Sequence, residues 1–162
     1  MAKKRQPQPQ GTILMPNQVA DLLLPAHLAV SNLRCNCFSA ASWRDLAFLS
    51  DITQLLAAEA GNQAIVDHGI GMGRCLLSIR ERRSCTKVWG ATEDELKAMQ
   101  KHILALDAFL RQLPSHKILG AQIKRDAAVA HAQAQGRDQA PIELNQAQLR
   151  AGGRLAQWAG RV

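Results

Sequence analysis

HGIGMG, residues 68–73, sets Gly69, Gly71 and Gly73 at alternate positions in a chain whose neighbouring segments carry helical periodicity. A phosphate-cradling loop here would be a ligand site inside an α/β sheet; a helix would be a packing surface inside an all-α protein. A dinucleotide fingerprint needs G-x-G-x-x-G between a strand and a helix, and its last glycine position is occupied by Arg74. The Lys and Ser or Thr that close a P-loop are missing, and no second βαβ pattern supplies a sheet. The helical reading keeps an apolar face intact. Ile65, Gly69, Met72, Leu76 and Ile79 form one stripe, and Val66, Ile70, Gly73 and Leu77 form the stripe beside it. Gly69 and Gly73 are then helix-packing positions, where missing side chains let another backbone come close. Gly71 falls on the opposite side with Asp67, Arg74 and Ser78. Interior glycines cost about 1 kcal/mol each relative to alanine, so tertiary contacts must hold this segment, and it reads as a central helix covered on two sides. On this reading Gly71→Ala is neutral or stabilising and Gly69→Leu overpacks the core.

Outward from the glycines the pattern stays helical. Upstream, Leu46, Leu49, Ile52, Leu55 and Leu56 mark an apolar face ending at Gly61, with Ser42 and Asp45 placed as a capping box. Pro16 opens a short helix through Leu24, and Pro25 ends it and starts another that stops near Asn36. Downstream, the glycine helix runs to about Arg83, and SCTKVWGA, residues 84–91, is a connector. Thr92 and Glu95 form a capping box, with Glu93 and Asp94 adding negative charge in the first turn. Leu96, Met99, Ile103, Leu106, Leu110 and Leu113 follow as a heptad-like seam that Pro114 terminates; it can serve an internal neighbour or a homodimer. Ser115 caps a last helix through about Gln135, apolar early at Ile118, Leu119 and Ile123 and then mostly alanine.

The expected fold is therefore a single all-α bundle of five or six helices over residues 14–126. A flexible basic arm precedes it at residues 1–13, with Lys3, Lys4 and Arg5 among alternating Pro and Gln. A helix extension and weakly ordered Ala/Gln-rich tail follow at residues 127–162, with a short helix from Pro141 to the Gly152–Gly153 pair and Trp158 as an anchor. The 162 residues suit one domain, and 47% hydrophobic content with only 4% aromatic favours helices over a β-sandwich.

A formal charge of +7 and a pI near 9.8 direct the surface toward nucleic acid, anionic lipid or an acidic protein. No apolar run approaches the roughly 18 residues of a membrane span. With no leader-like segment in this sequence, Cys35, Cys37, Cys75 and Cys85 read as reduced thiols in a cytoplasmic setting. Cys35 and Cys37 flank a single residue, and no second close pair completes a zinc site, so no metal or cofactor is expected. No nucleophile motif or carboxylate pair indicates an enzyme: Glu93, Asp94 and Glu95 are explained by capping. A helix-turn-helix fits Ala57, Gly61 and Ile70 but fails at Asn62 and Asp67. What remains is positive charge: the arm residues Lys3, Lys4 and Arg5 together with a basic cluster, Arg74, Arg80, Arg82, Arg83 and Lys87 against Glu81, are the candidate contacts for nucleic acid or an acidic partner.

LLLPAHLAVSNLR, SWRDLAFLSDITQLLA, AIVDHGIGMGRCLLSI and WGATEDELKAMQ together resemble a group of small helical proteins carried on plasmids, prophages and other mobile elements of proteobacteria, some labelled Fis-like transcriptional regulators. The resemblance spans roughly residues 14–125. It implies a mobile-element accessory protein, a regulator or DNA-maintenance factor, or alternatively an inhibitor of host defence, and it assigns no functional residue.

Overall fold

The computed structural model describes residues 16–134. The basic arm with Lys3, Lys4 and Arg5, and the segment carrying Pro141, Gly152, Gly153 and Trp158, lie outside the described residues. Within them are five helices and no strand: α1 Pro16–Arg34, α2 Ala40–Glu59, α3 Gln63–Thr86, α4 Glu93–Leu110 and α5 Ser115–Ala134. No helix among these is long and apolar enough to cross a membrane.

α1 is one helix, not two. Pro25 lies inside it and is exposed, so the ring faces solvent while Leu23, Ala26, Ala29, Val30 and Leu33 bury the other side. Packing on α2 and α4 overrides the break that proline imposes on an unsupported helix. The helix stops two residues before Asn36, which adopts φ 54° while the Cys37 amide reaches back to the Asn32 carbonyl at 2.9 Å, a Schellman-type ending. α2 starts earlier than the Ser42–Asp45 pattern suggests. Ser39 is the cap, its Oγ accepting from the Ser42 amide at 3.2 Å, and Ser42 sits buried inside the first turn. Gly61, at φ 68°, closes the helix, with the Asn62 amide bonded to the Ala57 carbonyl at 2.8 Å.

α3 begins under an Asn62 cap and is covered on two sides, by α2 and by α4. The most enclosed helix is nevertheless α2, which packs on α1, α3 and α5 and is buried continuously from Leu49 to Ala57. That enclosure explains its buried polar residues. Ser50 Oγ donates to the Gly69 carbonyl at 2.9 Å, Gln54 Nε2 donates to Ser50 Oγ at 3.0 Å, and Arg125 of α5 pairs with Asp51 at 3.3 Å. Gly69 and Gly73 are both buried; a Cβ on Gly69 would collide with Gln54 Cγ. Gly71 departs from expectation. It faces α4, where a Cβ would lie 2.5 Å from the His102 ring.

α4 starts at the expected capping box: the Glu95 amide donates to Thr92 Oγ1 at 3.2 Å and the Thr92 amide to Glu95 Oε2 at 2.7 Å. Its seam is spent inside the chain. Met99, Ile103, Leu106 and Leu110 are buried and Leu96 and Leu113 half-buried against the common core. α5 follows the expected pattern at Ile118, which is buried, and departs from it at Leu119 and Ile123, which are exposed while Ala121 and Ala128 are buried. Small residues let α5 lie close on α2, and the two larger aliphatics are left on its outer face.

Candidate anion-binding face at the end of the third helix

α3 runs three residues past Arg83, extending into the expected connector. Lys87 caps it in the left-handed region, φ 64°, with its amide on the Arg83 carbonyl at 2.8 Å. The extension makes Arg80, Arg83 and Lys87 an i, i+3, i+7 set on one face near the negative end of the helix dipole.

Two of the three lie over indoles. Arg80 Cζ is 5.8 Å from the Trp43 ring centroid and Arg83 Cζ is 4.8 Å from that of Trp89. Trp43 is itself fixed, its Nε1–H donating to the Leu76 carbonyl at 3.0 Å. Trp89 packs edge-on against Phe38, with centroids 5.7 Å apart and planes at 70°, so the α3–α4 connector is seated on the α1–α2 connector. A cation–π contact holds a guanidinium against a ring without using up its N–H donors. Among the described residues no carboxylate lies within ion-pair distance of Arg80, Arg83 or Lys87. Lys87 Nζ donates to the Ser84 carbonyl at 2.8 Å.

The other two arginines of the cluster stand apart. Arg82 points into the α3–α4 junction, where Nη2 meets Glu95 Oε1 at 2.7 Å and Nη1 donates to the Gly90 carbonyl at 2.6 Å. Ser78 Oγ donates to the same carboxylate oxygen at 2.6 Å. Burial opposes charge on Glu95, but Arg82, Ser78 and the Thr92 amide outweigh it and lower its pKa to about 2. Arg82 is therefore a structural clamp. Arg74 is exposed on another face, in the stripe of Ser78 and Glu81. The aromatic partners, Trp43 and Trp89, escaped the sequence reading; the signal available was that two of the chain's three tryptophans flank this helix in a sequence with so few aromatic residues.

Elsewhere the chemistry is sparse. His68 and His102 meet Nδ1 to Nδ1 at 3.0 Å between α3 and α4, with ring centroids 5.3 Å apart. The centroid spacing means that the two nitrogens point at each other along one line, the arrangement of a shared proton and not of two ligands converging on a metal. Burial first, then the charges of His68 and Lys101, push the His102 pKa down. Among the described residues no group of three or more His, Cys, Asp or Glu side chains is arranged to hold a metal ion, and the four thiols are unbridged. Burial, followed by the charge of Glu95, raises the Cys75 thiol.

No family model, no curated protein and no solved structure matches the chain.

Proposed function

We propose that the chain is a non-enzymatic accessory protein that binds nucleic acid through Arg80, Arg83 and Lys87, with Trp89 beside the contact. The observation that carries this reading is the pair of arginines placed over indole rings without a carboxylate partner among the described residues. A guanidinium held over a ring has fewer rotamers to lose when a ligand arrives, and its N–H donors suit bidentate donation to phosphate. The net charge of +7 supports the same direction of attraction at longer range. A regulatory or maintenance role on a mobile element rests on the sequence resemblance alone.

The test is fluorescence anisotropy with a labelled duplex over a range of salt. Each phosphate neutralised contributes about 0.9 to the slope of log K against log salt on duplex DNA, so the combined Arg80→Ala, Arg83→Ala, Lys87→Ala variant loses about 2 to 3 from that slope and binds more weakly throughout. An unchanged slope and affinity refute the proposal. Weak binding by the wild type, together with loss on the triple variant of a nuclease-insensitive protein partner, assigns the face to an acidic protein instead.

A further inference from the structure

We infer that Cys35 and Cys37 form a redox site in the α1–α2 connector, one that undergoes thiol–disulfide exchange with a low-molecular-weight disulfide and closes into an internal bridge. The inference is independent of the nucleic-acid reading. Both thiols are exposed, and they flank Asn36, whose φ of 54° places it in the left-handed region. Such a residue mirrors one step of a helix, so the Cα atoms on either side of it lie about 5.4 Å apart, against about 6.8 Å across an extended residue. A disulfide takes Cα separations of about 4.4–6.8 Å and favours about 5.5–6 Å, so the turn sets the pair near the favoured span. The Cys37 side chain is also turned back along the chain, its Sγ–H donating to the Cys35 carbonyl at 3.3 Å. Backbone bonds hold the turn in place: the Cys37 amide reaches the Asn32 carbonyl at 2.9 Å and the Cys35 amide the Ser31 carbonyl at 3.3 Å. Closing the bridge therefore asks for side-chain rotation more than for movement of the backbone.

The exchange runs in two steps. The Cys35 thiolate attacks one sulfur of the small disulfide, forming a mixed disulfide and expelling one small thiolate. The Cys37 thiolate then attacks the Cys35 sulfur, forming the Cys35–Cys37 bond and expelling the second small thiolate. Two protein thiols are oxidised by two electrons, the small disulfide is reduced to two thiols, and the two protons lost by the cysteines are taken up by the thiolates released. An accessible thiol beside a resolving one is the arrangement that reversible oxidation requires. The other two cysteines lack it: Cys75 is half-buried within α3, and Cys85, exposed near the end of that helix, has no cysteine beside it in sequence. The pair also adjoins a structural joint, because Phe38 follows Cys37 directly and carries the contact with Trp89.

The probe is glutathione. The full chain is equilibrated with oxidised and reduced glutathione in varied ratio, once folded and once in urea, and the remaining thiols are alkylated and mapped by mass spectrometry. The folded chain gives a Cys35–Cys37 bridge, two hydrogens lighter and free of glutathione, with an equilibrium constant about tenfold or more larger than in urea. Cys85 carries mixed glutathione adducts only, and Cys37→Ser halts the reaction at the mixed disulfide on Cys35. Asn36→Gly accepts positive φ and keeps the folded advantage, whereas Asn36→Val resists it and loses most of that advantage while retaining its helical circular dichroism. Glutathione adducts on Cys35 and Cys37 in place of the bridge overturn the inference. So does a bridge to Cys75, to Cys85 or to a second copy, and so does equal closing in the folded and unfolded chain.

Discussion

Gly69 is the position where one added carbon does most harm. Its Cβ would enter the space of Gln54 Cγ, and Gln54 is held in place by its bond to Ser50 inside the α2–α3 contact. Gly69→Ala gains about 1 kcal/mol of helix propensity but overpacks by about 1–3 kcal/mol, a net loss of about 1 kcal/mol in urea unfolding. With Gln54→Ala present the penalty vanishes and the propensity gain appears. Gly71 faces α4, where its sequence reading had it on the opposite side. A methyl there displaces the His102 ring and parts it from His68, so Gly71→Ala destabilises the wild type and stabilises a His102→Ala background. Titration separates two other residues. Glu95 has a folded pKa of about 2 against an ordinary 4.5, so its stabilisation is complete above about pH 4.5 and is lost as pH falls toward 2. That loss is on the order of 3 kcal/mol at most and is absent in Glu95→Gln, as acid-unfolding curves will show. His102 is also held below its ordinary value, so the folded state loses stability as pH falls below about 6.5, and His102→Gln flattens that limb.

Among the elements, α1 and α5 show where periodicity stops informing. Pro25 reads as a break because local rules see only the missing N–H and the ring; they cannot see that five apolar residues around it are pinned to α2 and α4. Pro25→Ala should restore the backbone bond on a solvent-facing position and raise stability by about 1–3 kcal/mol in denaturant unfolding, whereas two separate helices would gain nothing. α5 misleads in the opposite sense, because the size of Leu119 and Ile123 suggests burial while close approach to α2 demands alanine. By contrast α4 was legible to the residue at its start, though it ends at Leu110, before the Pro114 stop. Its capping box and 3,4 repeat are local signals that tertiary packing reinforces. The centrality of α2 was hidden for a physical reason: a helix enclosed on most sides needs no polar face, and Ser50, Asp51 and Gln54 disguised it as amphipathic.

For the molecule as a whole, the all-α architecture follows from reading HGIGMG as helix, because the glycines admit the α2 side chains on one side and His102 on the other. The candidate face was half legible. Charge counting found the arginines, but their division into clamp, platform and bystander depends on which way each points at the α3–α4 corner. Sequence spacing alone does not give Arg82 to Glu95 or Arg83 to Trp89. The measurement closest to the central claim is an NMR titration of the full chain with a short oligonucleotide, following the indole and arginine side-chain N–H signals. The account predicts that the Trp89 indole and the Arg83 side chain shift together and return as salt is raised. Binding that leaves both signals unmoved would contradict it.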